Sequence, residues 1–198
     1  YGKLEYAYYK LATACGVNMT HTEFLSENGR DHFLTERFDR INGEKLHTQT
    51  LNSIANMDFN NPLIHSYEQC FNIMQRLNLT QEEKDQQFLR MVFNVVARNQ
   101  DDHTKNICFL MDKSGKWKLS PAYDVSFAYD PTNRWLKQHQ MSINNKRNNI
   151  TFDDFVFFKS FVNTIPRASS TCFLVRKDKL SLFVFLAFDV YLYFVTNF

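Results

Sequence analysis

Thr80 and Glu83 open the segment that most constrains this chain. They form an S/T-x-x-E capping box, in which each side chain satisfies an orphan N–H of the other. Phe88, Met91, Val92 and Val95 then recur at i, i+3, i+4 and i+7, the apolar stripe of a helix. The spacing predicts a helix from about residue 81 to about residue 98. With 198 residues, the chain is long enough to bury such a stripe in a real core.

Where that helix should end, the sequence reads RNQDDHTKNICF, residues 98–109. Asp101, Asp102, His103, Lys105 and Asn106 crowd into six positions, with apolar residues on both sides. ICFLM then reads as a short strand, DKSGK as a turn, and WKLSPAYDV as a second strand that Pro121 must interrupt. Asp124 therefore falls at or just beyond a strand end. The order is long helix, polar loop, hairpin, second carboxylate.

Upstream, Leu4, Tyr8, Leu11, Ala12 and Cys15 stand at helical spacing over 3–15, with Gly16 as C-cap. Residues 22–38 read as two strands, the second being HFLTERF. INGEK, 41–45, carries an Asn-Gly turn signal. Two more helices are expected near 49–56 and 66–77. Composition shifts near residue 152: eleven of the 20 phenylalanines lie in the last 47 residues, and no glycine follows Gly115. The apolar run 180–195 includes Asp189 and is shorter than the ~20 residues of a spanning helix, so no membrane segment is expected.

The net charge of +2 gives no sign of a nucleic-acid groove or an anionic membrane surface. Cys15, Cys70, Cys108 and Cys172 lack zinc-ligand spacing. They read as buried reduced thiols, which fits the cytoplasm. The chain begins at Tyr1 rather than Met and shows no signal peptide.

Asp101 and Asn106 have the separation of the protein-kinase catalytic loop, H-R-D-x-x-x-x-N. There the Asp accepts the proton of the acceptor hydroxyl, the Asn holds magnesium, and a later carboxylate completes the metal site. Asp124 lies 18 residues after Asn106, where a hairpin could return it to the loop. The competing reading is a solvated polar loop with capping side chains. Asp102 reads as a surface or loop-capping residue. His103 reads as a structural histidine bonded to backbone beneath the loop, and Lys105 either meets the γ-phosphate or is solvated. Asp101, Asp102 and His103 are also candidate ligands of a metal hydrolase, but there is neither an H-E-x-x-H motif nor a P-loop.

FNVVARNQDDHTKNICFLMDKSGKWKLSPAYDVSF resembles the catalytic core of HipA-like serine/threonine kinases, the toxins of HipA/HipB toxin–antitoxin modules. The family pattern D-x-H-x-x-N followed by P-x-Y-D stands here as Asp101-x-His103-x-x-Asn106 and Pro121-Ala122-Tyr123-Asp124. HFLTERFDR resembles the family's hinge, HQMSINNKRNNIT a further block, and the likeness covers about residues 3–155. It implies an α+β, mostly α fold: a kinase-like C-lobe with hinge strands and a short catalytic β-hairpin. Residues 1–40 would be the end of an N-lobe and the hinge, 41–165 the C-lobe, and 166–198 a divergent apolar tail.

The resemblance further implies ATP and magnesium as cofactors. Asp101 would be the catalytic base, and Asn106 and Asp124 the metal ligands. Glu36, Phe38 and Asp39 would bind nucleotide, with His103 and Lys105 in the same set. Glu5 would pair with the ATP-binding lysine of an N-lobe expected before Tyr1. Arg37 and Arg40 could instead simply pair with Glu36 and Asp39. Asn145 stands where the family has Gly, and Asn tolerates the left-handed turn. The implied partners are a HipB-like DNA-binding antitoxin, with DNA reached only through it, and a protein substrate such as a translation factor. The alternatives are a non-catalytic antitoxin-binding remnant and a small-molecule phosphotransferase.

Overall fold

The computed structural model describes residues 2–164; the expectations for the tail, 166–198, and for Cys172 lie outside them. Helix α1 (Gly2–Ala14) leads into a hairpin of β1 (Thr22–Glu27) and β2 (Arg30–Thr35). A small ribbon of β3 (Arg40–Ile41) and β4 (Glu44–Lys45) follows. Next come β5 (His47–Thr50), α2 (Leu51–Ile54), α3 (Tyr67–Arg76) and α4 (Gln81–Val96). Strands β6 (Cys108–Met111) and β7 (Trp117–Leu119) and helix α5 (Phe152–Thr164) complete the order.

α4 is the axis of the core. Its buried Phe88, Met91, Val92 and Phe93 meet Tyr8 and Leu11 of α1 and Phe71 and Met74 of α3 in one cluster. Phe158 of α5 closes that cluster, 5.2 Å from the Phe71 ring. Fully burying a side chain of this size is worth ~1.5–3 kcal/mol, so the helices hold together mainly through these aromatic and methionine contacts. Tyr8 adds a directional tie, donating to the carbonyl of Ala97 at 2.6 Å.

The expected Thr80/Glu83 box is formed, with the Glu83 carboxylate accepting from Thr80 N–H at 2.8 Å. Its other oxygen accepts from Leu119 N–H at 2.9 Å, so one side chain both starts α4 and pins the last residue of β7. The Gly16 cap is also as expected. Its φ is +87°, and Val17 N–H reaches back to Ala12 O at 2.9 Å in the bond pattern of a Schellman turn. Asn42 and Gly43 turn β3 into β4 with φ of +51° and +82°. Asn144 and Asn145 make the same kind of turn between Ile143 and Lys146. Asparagine pays little for the left-handed region, which is why the turn survives without glycine at 145.

Two expectations need correction. The second strand ends at Thr35 rather than continuing to Phe38. Glu36 N–H bonds instead to His21 O at 2.9 Å, and Phe38 stacks on Tyr123, 5.4 Å between ring centres. The helix near 49–56 is only the four residues of α2. The residues before it form β5, because Thr50 pairs with Cys108 and His47 with Met111 in a sheet ordered β5-β6-β7. No local pattern in His-Thr-Gln-Thr announces a partner about sixty residues away. Among the described residues no helix is long and apolar enough to cross a membrane.

Because Glu83 joins two elements, Glu83→Ala should destabilise the protein by about 2–3 kcal/mol, combining a lost cap with a lost charge-assisted bond. Its exposed neighbour Glu82→Ala should cost less than about 0.5 kcal/mol. Urea denaturation of the two variants measures the difference.

Candidate active site

α4 stops at Val96, with Ala97 as its C-cap. Arg98 then takes φ +53°, and Asn99 N–H bonds back to Asn94 O at 2.9 Å. This is a Schellman-type stop without glycine. The next residues close a small ring. His103 N–H donates to Asp101 O and Asn106 N–H to His103 O, both at 2.9 Å. The Asn106 side-chain amide donates to Asp101 O at 3.0 Å. The five-residue spacing thus becomes a direct bond, which fixes Asp101 and Asn106 in one rigid loop. With its nitrogen engaged on Asp101, Asn106 keeps its Oδ1 free of partners among the described residues.

The hairpin does return its far end to this loop. β6 and β7 pair through Phe109–Leu119 and Met111–Trp117. Arg90 of α4 holds the carbonyl of Ser120 at 2.6 Å, and Tyr123 OH donates to Lys105 O at 2.5 Å. Asp124 follows at φ +54°, a conformation that costs a non-glycine residue of order 1 kcal/mol. Of the nine described non-glycine residues with positive φ, seven are asparagine. The exceptions, Arg98 and Asp124, bracket the site; aspartate shares asparagine's tolerance of this region, so only Arg98 depends on surrounding bonds to hold it there.

Asn106 and Asp124 line one polar cavity of about 30 Å³, together with Gln87, Arg90, Asp102 and His103. That is room for a water or two. Gln87 Oε1, Arg90 Nε and His103 Nδ1 are buried without hydrogen-bond partners among the described residues. Burial pushes the Arg90 guanidinium down to about 10. An amide oxygen and a carboxylate are hard oxygen donors of the kind magnesium takes alongside water and phosphate, so the pair fits that ion. Among the described residues no cluster of three or more His, Cys, Asp or Glu forms a metal cage.

Asp102 is not a surface residue. It is 3% exposed. Its carboxylate accepts from Tyr67 OH at 2.9 Å, His139 Nδ1 at 3.0 Å and Gln140 N–H at 2.7 Å. The chain of bonds runs on from Tyr67 to Asn94 at 3.1 Å and from Asn94 to Asn99 at 3.0 Å. α3, α4, the loop and the 139–142 segment are thereby tied at one point. Sequence reasoning missed this role, and the only trace of it was His139 at the head of the HQMSINNKRNNIT block.

Asp101 behaves oppositely. Its side chain is 45% exposed. Partial burial raises its pKa, His103 opposes that rise, and the charges of Asp124 and Asp102 add to it. His103 is not bonded to backbone through its ring, as had been expected. Its Nε2 lies 3.9 Å from Asp101, and its ring meets Phe59 edge-on at 5.2 Å. Lys105 sits over the same Phe59 ring, 3.4 Å from its centre. Phe38 reaches the site through Tyr123. Asp39 is held by Arg37 at 2.7 Å and Arg40 at 2.6 Å, the simple pairing that its neighbours suggested. Glu36 is exposed, and Glu5 lies on α1.

The family described as HipA-like C-terminal domain matches residues 1–177, and the chain belongs to that family. The match runs beyond residue 155, where the resemblance read from the sequence alone had faded. The chain is 28% identical over 126 residues to "Putative kinase Y4mE" of Sinorhizobium fredii, covering 59% of this chain and 30% of that protein. Its fold is similar to a chain from the Shewanella oneidensis MR-1 complex of HipA and HipB with operator DNA. That similarity has a TM-score of 0.61 at 17% identity, over 94% of this chain and 53% of that one. The chain thus spans only part of the length of each.

Asp102→Ala should destabilise the fold by ~3–5 kcal/mol, because it leaves three buried donors without an acceptor. Asp101→Ala should change stability by less than about 1 kcal/mol. Denaturant midpoints of the two variants would check this, and equal losses would refute the division between adjacent carboxylates.

Proposed function

We propose that this chain is the catalytic part of a HipA-like kinase that transfers the γ-phosphate of ATP to a serine or threonine of a protein. The observation that carries the reading is the bond from Asn106 to Asp101, together with the cavity that Asn106 shares with Asp124. The proposed base and one proposed metal ligand then share one short loop, and the hairpin brings the second ligand, Asp124, to the same cavity, the set of groups that phosphoryl transfer needs.

In this reading Asp101 accepts a hydrogen bond from the acceptor hydroxyl and takes its proton. The hydroxyl oxygen bonds to the γ-phosphorus, the bond from phosphorus to the β–γ bridging oxygen breaks, and ADP leaves with that electron pair. A carboxylate whose pKa is raised by burial and by Asp124 is a better base than a free one. When bound, magnesium would neutralise the charge on the phosphates and would be held by Asn106 Oδ1 and Asp124. Phe38, whose ring contacts Tyr123 next to Asp124, would take part in recognising the adenine ring. His103 and Lys105 stand next to the base, with Phe59 fixing both. The Shewanella chain's assembly with HipB and operator DNA supports a HipB-like antitoxin as partner.

In the protein with its natural flanking sequence, Asp101→Asn should lower phosphate transfer at least ~10²-fold while leaving Mg-ATP affinity within about threefold. Asp124→Ala should weaken Mg-ATP binding itself. Radiolabel transfer and calorimetry read the two separately. Near-normal transfer by Asp101→Asn would defeat the assignment.

A further inference from the structure

The segment after Asp124 is anchored to the catalytic loop at both ends. Ala128 N–H donates to Arg98 O at 3.1 Å, and Gln100 N–H donates to Ala128 O at 3.2 Å. At the other end Gln140 N–H meets the Asp102 carboxylate. Residues 129–137 therefore border the loop that carries Asp101. Arg98, Lys105, Arg134 and Lys137 are exposed along this border. None of the four makes an ion pair with a described carboxylate.

Three of these cations are held on aromatic faces. Arg98 lies 4.6 Å from the Tyr129 ring centre, Lys105 3.4 Å from Phe59, and Arg134 4.3 Å from Trp135. Such stacking orients a cation without neutralising it or consuming its donors. The one carboxylate within the segment, Asp130, is turned onto its own loop, accepting from Thr132 N–H at 2.8 Å and Thr132 Oγ1 at 2.7 Å. Arg98, Lys105, Arg134 and Lys137 thus give the border of the loop that carries Asp101 a local positive charge that no described carboxylate offsets by an ion pair.

We propose that this border docks an acidic acceptor segment, a stretch of protein with carboxylates flanking the serine or threonine hydroxyl. The inference rests on the phosphotransfer reading. The hydroxyl meets Asp101, while the flanking carboxylates meet the four cations and stay clear of Asp101 and Asp124.

The test uses the protein with its natural flanking sequence and three peptides that share a central serine, flanked by Glu, Gln or Lys. The Glu peptide should show kcat/KM about tenfold above the Gln peptide, through KM, with the Lys peptide lowest. The advantage should shrink as salt rises to about 0.5 M. R134E/K137E, at exposed loop positions, should reverse the order. Arg98→Gly, which keeps the left-handed backbone, should reduce the preference about threefold. Equal rates for the three peptides, or an unchanged order in R134E/K137E, would overturn the docking surface while leaving phosphotransfer standing. Fluorescence anisotropy with the same peptides needs no catalysis. Selective, salt-sensitive binding of the Glu peptide without phosphorylation would support the surface and reject the phosphotransfer reading. Tighter binding of a single-stranded RNA than of the Glu peptide, lost in R134E/K137E, would assign the cations to nucleic acid and overturn the proposal.

Discussion

The carboxylate of Asp102 is the contact on which the rest of the site depends. A buried charge costs several kcal/mol unless it is fully paired, and here Tyr67, His139 and the Gln140 amide all donate to it. The donors come from two parts of the chain remote from the loop. Tyr67 begins α3, while His139 and Gln140 follow the segment that borders the loop. Satisfying one anion therefore fixes three backbones at once. Ser142 adds to the same junction by bonding Tyr67 N–H at 2.9 Å.

That anchor lets adjacent carboxylates do different work. Asp102 faces inward and is saturated with donors, whereas Asp101 faces outward and holds only the loop's own amides, on its backbone oxygen. The fixed negative charge of Asp102 and that of Asp124 both favour the protonated form of Asp101, the direction a proton acceptor needs. The left-handed turns at Arg98 and Asp124 sit at the two ends of this arrangement. Arg98 is held by the Schellman-type bonds that end α4. Asp124 is held by the preceding Tyr123, whose hydroxyl grips Lys105 O.

Local patterns were legible in the sequence, and long-range ones were not. The capping box, the periodic stripe of α4, the Asn42-Gly43 turn and the left-handed tolerance of Asn145 all act within a few residues, and all appear in the fold. The Asp101–Asn106 spacing carried over for the same reason, since the bond between them is local. Asp102 was misread because its partners stand 35 to 38 residues away and two neighbouring aspartates look alike in a sequence. β5 was misread because its pairing with β6 is equally remote. HFLTERF kept its alternation to Phe38, but Phe38 is drawn to Tyr123 and the strand stops at Thr35. The expectation that Asp124 returns to the loop came from two short strands and the DKSGK turn between them, again a local pattern.

The proposed metal site joins Asn106, on the loop that Asp102 anchors, to Asp124 beyond the hairpin. Nuclear magnetic resonance of the isotope-labelled protein with ATP and substoichiometric manganese tests it most directly, because the paramagnetic ion broadens only nearby signals. The account predicts that the amides of Asn106, Tyr123 and Asp124 broaden first, while those of Asn144, Lys146 and Asp154 stay sharp. Broadening at Asp153 and Asp154, with the 101–106 loop and Asp124 untouched, would contradict it.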